Sequence, residues 1–286
     1  MQKYADVVKI LKEAFSYSLS FERITLFFVA ALPLIAYVTV FFQPLSQILT
    51  IYEKAKDFPL DQFNTNVKLL ILGLFLFSAL AVLLQLYFKA AITRNCYANK
   101  HLKKESIYKS LAIVFKSFTD ILLATIALMA LSALLGLLEI VPSIGDVLIP
   151  ILAMILTILF FFYIQAIIVN NHSWLAGLRA SIDFVREKWM TLLFVISLFV
   201  LDIILVFITT LPLIILFLML LGAVPNPATL GEDILPYIEF AKANFTITFI
   251  AILITAFLTG FVYVFQESSK TLYYSSAINH KKRKRG

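Results

Sequence analysis

Hydrophobic positions along this chain fall into six long runs, set apart by shorter polar stretches. The runs cover about Ile24–Phe42, Val67–Phe88, Ile121–Val141, Val147–Val169, Met190–Leu211 and Phe245–Phe265. Leu and Phe dominate all of them, and apolar residues occur on every side rather than on one stripe. A bilayer core about 30 Å thick is crossed by about 20 apolar helical residues, so each run predicts a transmembrane helix. A β-barrel would show alternating segments of about ten residues instead.

A second pattern precedes each odd-numbered run. Before the first, Tyr4, Val7, Val8, Leu11, Phe15, Ser18 and Leu19 share one helical face, opposite Lys3, Asp6, Lys9, Glu13 and Ser16. Before the third, Ile107, Tyr108, Leu111, Val114, Phe115 and Phe118 oppose Glu105, Lys109, Ser110, Lys116 and Ser117. Before the fifth, Leu175, Leu178, Ile182, Val185 and Trp189 oppose Arg179, Asp183, Arg186 and Glu187. This i, i+3, i+4, i+7 spacing predicts amphipathic helices. Such helices either lie in a membrane interface or pack on the bundle as connectors.

The chain therefore predicts an all-α polytopic membrane bundle, with six transmembrane helices in three repeats of amphipathic helix plus transmembrane hairpin. The whole of 1–286 forms one integral membrane domain, with repeat units at about 1–98, 99–170 and 171–279 and a basic tail at 280–286. Weak internal similarity supports the repeat. Aligning Ile24-Thr25-Leu26 with Met190-Thr191-Leu192 brings Ala14 onto Ala180 and Pro44 close to Pro212. Aligning Arg23 with Asp120 brings Pro44 next to Pro142. Tyr87-Phe88-Lys89-Ala90 also matches Tyr163-Ile164-Gln165-Ala166, with Tyr263-Val264 in the corresponding place of the third unit. The third unit departs from the pattern: Trp189 to Leu221 is almost continuously apolar, about 50 Å of helix at about 1.5 Å per residue. A kink at Pro212 is expected, leaving Leu213–Leu221 in the outer interface or partly re-entrant; a single tilted helix is the alternative.

Composition agrees with this class. Of the 286 residues, 61% are hydrophobic and 14% charged, against about 45–50% and about 25% in an ordinary soluble chain. A single core of this size buries only about three quarters of its unfolded surface, so a soluble domain could not hide the excess. The net charge of +7 is sorted rather than spread. Twenty of the 24 Lys and Arg lie before the first run, between the second and third, between the fourth and fifth, and after the sixth; only Lys54, Lys56, Lys68 and Lys242 lie on the other side. By the positive-inside rule both termini are expected in the cytoplasm of a protein of the cell membrane. The opposite loops carry Glu53, Asp57, Asp61, Glu139, Asp146, Glu232, Asp233 and Glu239. The first run is too long for a cleaved signal sequence and reads as an anchor that stays. Cys96 is the single cysteine, so no internal disulfide forms.

Candidate chemistry is sparse. Asp202 is the one ionisable residue deep inside a run. A carboxylate there costs about 2.5–3.5 kcal/mol on insertion scales. It reads either as a proton or cation site, with Thr209, Ser197 or Thr125 as candidate partners, or as a protonated carboxyl bonded across a helix pair. Gln85, Gln165, Asn170 and Asn171 lie near the ends of even-numbered spans, where they either line a vestibule or cap helices and bond across the interface. Lys89 and Glu267 lie near the same ends and are expected to snorkel to the surface. The tail residues Lys281, Lys282, Arg283, Lys284 and Arg285 form a juxtamembrane polybasic cluster, suited to anionic headgroups at about 1 kcal/mol per charge. His101, His172 and His280 have no ligand spacing, and no phosphate loop, nucleophile elbow or zinc-protease motif appears. Neither a metal nor a cofactor is expected, nor a nucleic-acid partner. Asn244-Phe245-Thr246 matches a glycosylation acceptor but abuts the sixth run, and reads as chance.

The connector Asn171-His172-Ser173-Trp174 through Ala180-Ser181 to Trp189, with its weaker counterpart Ile107–Asp120, resembles the six-helix membrane domain fused to some glycerophosphodiester phosphodiesterases and related multi-pass families of bacteria and archaea. The resemblance covers nearly the whole chain and implies no catalytic residue, because in such proteins the phosphodiesterase chemistry belongs to a separate soluble domain. The expected role is accordingly non-enzymatic: a membrane scaffold or lipid-associated protein, with membrane lipids, a second copy or another membrane protein as partner. The alternative is a small-molecule or lipid transporter with Asp202 near its pathway. Repeats are common in transporters, but these three share one orientation rather than being inverted.

Overall fold

The computed structural model describes residues 2–42, 65–137, 144–187, 190–223 and 235–283. Among them there is no strand. The helices are α1 (Gln2–Ser18), α2 (Phe21–Val40), α3 (Thr65–His101), α4 (Ile107–Phe115), α5 (Phe118–Gly136), α6 (Ile144–Leu159), α7 (Tyr163–Asn170), α8 (Trp174–Glu187), α9 (Met190–Thr209), α10 (Leu211–Ala223), α11 (Leu235–Ala243) and α12 (Phe245–Arg283). Six segments are long and apolar enough to cross a membrane: Phe21–Val40, Lys68–His101, Phe118–Gly136, Leu148–Asn170, Met190–Thr209 and Phe245–Ile278. They match the six apolar runs.

Three features differ from, or refine, the reading of the pattern. First, α3 and α12 are 37 and 39 residues long and continue far past Phe88 and Phe265. No Pro or Gly interrupts Lys89–His101 or Gln266–Arg283, and both extensions carry buried seams, Ala90, Ala91 and Ile92 on one and Thr271, Leu272 and Tyr274 on the other. Second, the fourth span is interrupted by a turn at Phe160–Phe162 between α6 and α7. Third, the break anticipated at Pro212 falls at Thr210, between α9 and α10. Pro212 has no N–H to offer the carbonyl four residues back, and Thr210 O instead accepts from Leu213 and Ile214 at 3.0 Å each. Pro44, Pro142, Pro225, Pro227, Pro236 and Trp189 bear on the loop and repeat expectations, but they lie outside the residues whose side chains are described.

By packing, the chain divides into two compact units. The first comprises Met1–Arg23, Tyr87–Ile203 and Tyr263–Gly286; the second comprises Ile24–Leu86 and Ile204–Val262.

In the second unit, small residues let helices approach closely, as expected where lipid supplies no hydrophobic drive between them. A Cβ on Gly260 would lie 2.7 Å from the Ile24 carbonyl oxygen, so α12 meets α2 backbone to backbone. A Cβ on Gly73 would fall into the Tyr37 ring. That ring stacks on Phe77 at 4.9 Å, and its hydroxyl donates to the Leu70 carbonyl at 2.6 Å.

In the first unit, α8 packs against α5, α6 and α7. Its N-terminus is capped from another helix: the Trp174 N–H donates to the Asp120 carboxylate of α5 at 3.0 Å, where an anion also complements the helix dipole. Asn171 ends α7 in the left-handed conformation, at φ 55°, so it caps a helix end. Gly177 lies against Ile167 with no room for a Cβ. The buried serine of α8, Ser181, donates to Leu159 O at 2.8 Å and accepts from Phe162 N–H at 3.2 Å. One hydroxyl thus satisfies both backbone groups orphaned by the α6–α7 turn. Phe162 is itself enclosed by Phe184, Phe194, Tyr273 and Tyr274, with ring centroids 5.0–6.3 Å away.

Candidate functional site

The polar residues that matter most in the first unit come from α3, α7 and α12. Glu267 of α12 is 1% exposed. Its Oε2 accepts from Gln165 Nε2 at 2.9 Å, and its Oε1 lies 3.1 Å from the Lys270 ammonium. Gln165 Nε2 also reaches Thr93 Oγ1 at 3.4 Å. A carboxylate only accepts, so the Gln165 amide must turn its nitrogen inward, which leaves Gln165 Oε1 buried without a protein partner. Lys270 lies 4.6 Å from the Phe161 ring centroid, and Lys89 lies 4.9 Å from that of Tyr263.

The expectation that Glu267 snorkels to the surface is therefore corrected. Its stem is too short to bring the carboxylate out past the surrounding helices, and a glutamine and a lysine meet it inside. Gln165 and Asn170 bond across helices: Asn170 Nδ2 donates to the Tyr274 hydroxyl at 2.8 Å.

Asp202 of α9 is partly buried. Its carboxyl is hydrogen-bonded to the Gln266 side chain, and its Oδ1 is buried without a protein partner. None of the three partners considered from sequence meets it in a described bond. Thr209 Oγ1 donates to its own helix at Val206 O, and Thr125 Oγ1 pairs with Ile121 O and the Tyr163 hydroxyl. Among the described residues no group of three or more His, Cys, Asp or Glu could hold a metal. The side chains of Lys281, Lys282, Arg283, Lys284 and Arg285 lie outside the described residues.

A second polar cluster joins α1, α3 and the α3–α4 connector. Asn95 accepts from the Tyr17 hydroxyl at 2.6 Å and donates to Glu105 O at 2.7 Å and Ser110 Oγ at 3.1 Å. Glu105 pairs with Arg94 at 3.3 Å and accepts from Ser110 Oγ at 2.7 Å. Lys100 pairs with Glu13. Burial pushes the Tyr17 phenol well above its ordinary range, the neighbouring Cys96 adds to this, and Arg23 over the ring opposes it. Tyr17 therefore stays a hydrogen-bond donor.

The three amphipathic helices share a mode of packing. In α1, Val7, Ala14 and Ser18 are buried while Val8, Phe15 and, just past its end, Leu19 are exposed; in α4, Ile107, Ser110 and Val114 are buried while Tyr108 and Phe115 are exposed. In α8, Leu178, Ser181 and Phe184 are buried while Leu175 is exposed. Each apolar stripe is split, one edge packed inward and the other presented outward.

A pocket of about 360 Å³ lies beside the α6–α7 turn, walled by Leu128 of α5, Ala153 and Leu156 of α6, Phe160 and Phe161 of the turn, and Lys270. Ser132, Thr157 and Tyr163 add hydroxyls. The sequence pattern holds no signal for it, because its walls come from three separate stretches of chain.

Six membrane-length apolar helices among all-helical described residues define the class: the chain is a multi-pass α-helical membrane protein. Comparisons with protein-family models, with curated proteins and with solved structures find no match.

Proposed function

We propose that the chain is a non-enzymatic protein of the cell membrane with a scaffold or lipid-associated role, both termini cytoplasmic and the basic surface turned toward anionic headgroups. The single observation that carries this reading is the split stripe of α1, α4 and α8. Apolar side chains exposed beside cationic ones suit a helix lying at a headgroup boundary. The three amphipathic helices and their hairpins are read as one unit repeated three times. Purification in native lipid followed by mass spectrometry tests the role. Anionic phospholipid should be enriched over the bulk membrane; a lipid profile identical to bulk with no co-purifying protein would sink it.

Transport is the second reading. What favours it is the partly buried Asp202, with one carboxylate oxygen lacking a protein partner, together with an interrupted fourth span, a feature of transporter sites. Against it, the Ser181 hydroxyl occupies both backbone groups at that break, leaving no helix end free for a substrate. If transport runs through Asp202, proteoliposomes bearing Asp202→Asn should differ in flux from wild type; equal flux removes that residue from any pathway.

A further inference from the structure

The pocket beside Lys270 carries an assignment of its own, which rests on the lipid-associated reading above. We propose that it holds one anionic phospholipid, an acyl chain lying against Leu128, Ala153 and Leu156 and the phosphate meeting the Lys270 ammonium.

The lining selects the class of ligand. The volume, about 360 Å³, falls in the range of about 300–1,000 Å³ usual for small-molecule sites. Its walls are aliphatic and aromatic, and Lys270 is the charged member of the lining. A neutral hydrocarbon would leave that ammonium with less solvation than it has in water, whereas an amphiphile with an anionic end satisfies both parts of the surface. Lys270 has three N–H donors, and one described hydrogen bond uses one of them, to Glu267 Oε1 at 3.1 Å. Glu267 is shared between Gln165 and Lys270, and Asp202, bonded to Gln266, also lies within electrostatic reach of the ammonium. The donors left over by the Glu267 bond let a phosphate meet Lys270 alongside that pair rather than in place of it.

The route in is lateral. Met129 of α5 and Met154 of α6, one residue along from the walls Leu128 and Ala153, are exposed apolar side chains on membrane-length segments. The lining residues Ser132, Ala153 and Thr157 are themselves exposed on those segments, so the pocket opens on the apolar side of the spans. A membrane phospholipid thus reaches it by diffusion within its own leaflet.

The test uses the full chain reconstituted in vesicles with phosphatidylcholine as the major and phosphatidylglycerol as the minor lipid, then extracted in mild detergent for native mass spectrometry. Wild type should retain one phosphatidylglycerol. Lys270→Gln, which removes the charge, and Ala153→Phe, which fills the pocket from an exposed position and leaves the ion pair untouched, should each reduce that retained species about tenfold or more. A loss of this size corresponds to about one charge-assisted hydrogen bond. Circular dichroism and elution volume matching wild type establish that Ala153→Phe is folded. Equal retention in wild type and Ala153→Phe overturns the proposal, as does phosphatidylcholine held as well as phosphatidylglycerol. If anionic lipid is enriched around the protein but no single molecule is retained, the pocket assignment fails and the broader reading stands. A single retained lipid, lost in both variants, without wider enrichment, does the reverse.

Discussion

At the scale of single residues, Glu267 has the strongest consequences. A carboxylate two positions beyond an apolar run reads as a surface group, yet it is enclosed, with Gln165 and Lys270 as its partners. Glu267→Ala leaves the ammonium and the amide without their acceptor. Removing one partner of a buried pair costs about 3–5 kcal/mol, and the partial exposure of Lys270, 18% at its side chain, puts this case toward the lower end. Glu267→Gln keeps an acceptor for Gln165 and should lose less. Thermal unfolding in detergent should rank wild type above Glu267→Gln, and that above Glu267→Ala; three equal midpoints would mean the pair adds nothing to stability. Asp202 presents the opposite case. Its isolation in an apolar run was plain from the sequence, but its partner Gln266 was not, because nothing in spacing links α9 to the extension of α12.

At the scale of elements, Ser181 holds the α6–α7 turn together. Ser181→Ala should leave the Phe162 N–H and the Leu159 carbonyl buried without partners, at about 1–3 kcal/mol for a stranded group. Hydrogen exchange at the Phe162 amide should rise; unchanged exchange would mean that another group caps the break. The six spans and three amphipathic helices were legible because hydropathy and the helical period are local properties of the chain. The interruption at Phe160–Phe162 was not, since Leu, Phe and Tyr continue through it and the hydroxyl that makes it tolerable belongs to another helix. The lengths of α3 and α12 were hidden for a related reason. Polar residues after Phe88 and Phe265 look like the start of a loop, and only the packed seams of Ala90, Ala91, Thr271 and Tyr274 show why the helices continue. The pocket at Lys270 needed all of these at once.

At the scale of the whole molecule, the uneven distribution of charge predicts topology. A reporter active only outside the cytoplasm, fused after Gly286, should stay silent, and one inserted in the loop between the first and second spans should be active. Signal from the terminal fusion would reverse the orientation proposed above. The first unit draws on three separate stretches of chain, the last beginning at Tyr263. Gln165 meets its acceptor only 102 positions later, which at a synthesis rate of about 5–20 residues per second is a delay of about 5–20 seconds. Throughout that interval the amide belongs to a nascent chain whose eventual acceptor is not yet made. The final helix is therefore the keystone of the first unit. A chain stopped before Tyr263 holds five spans and most of the sixth but lacks Glu267 and Lys270, which close its polar centre, so premature termination even this late leaves an unfinished interior.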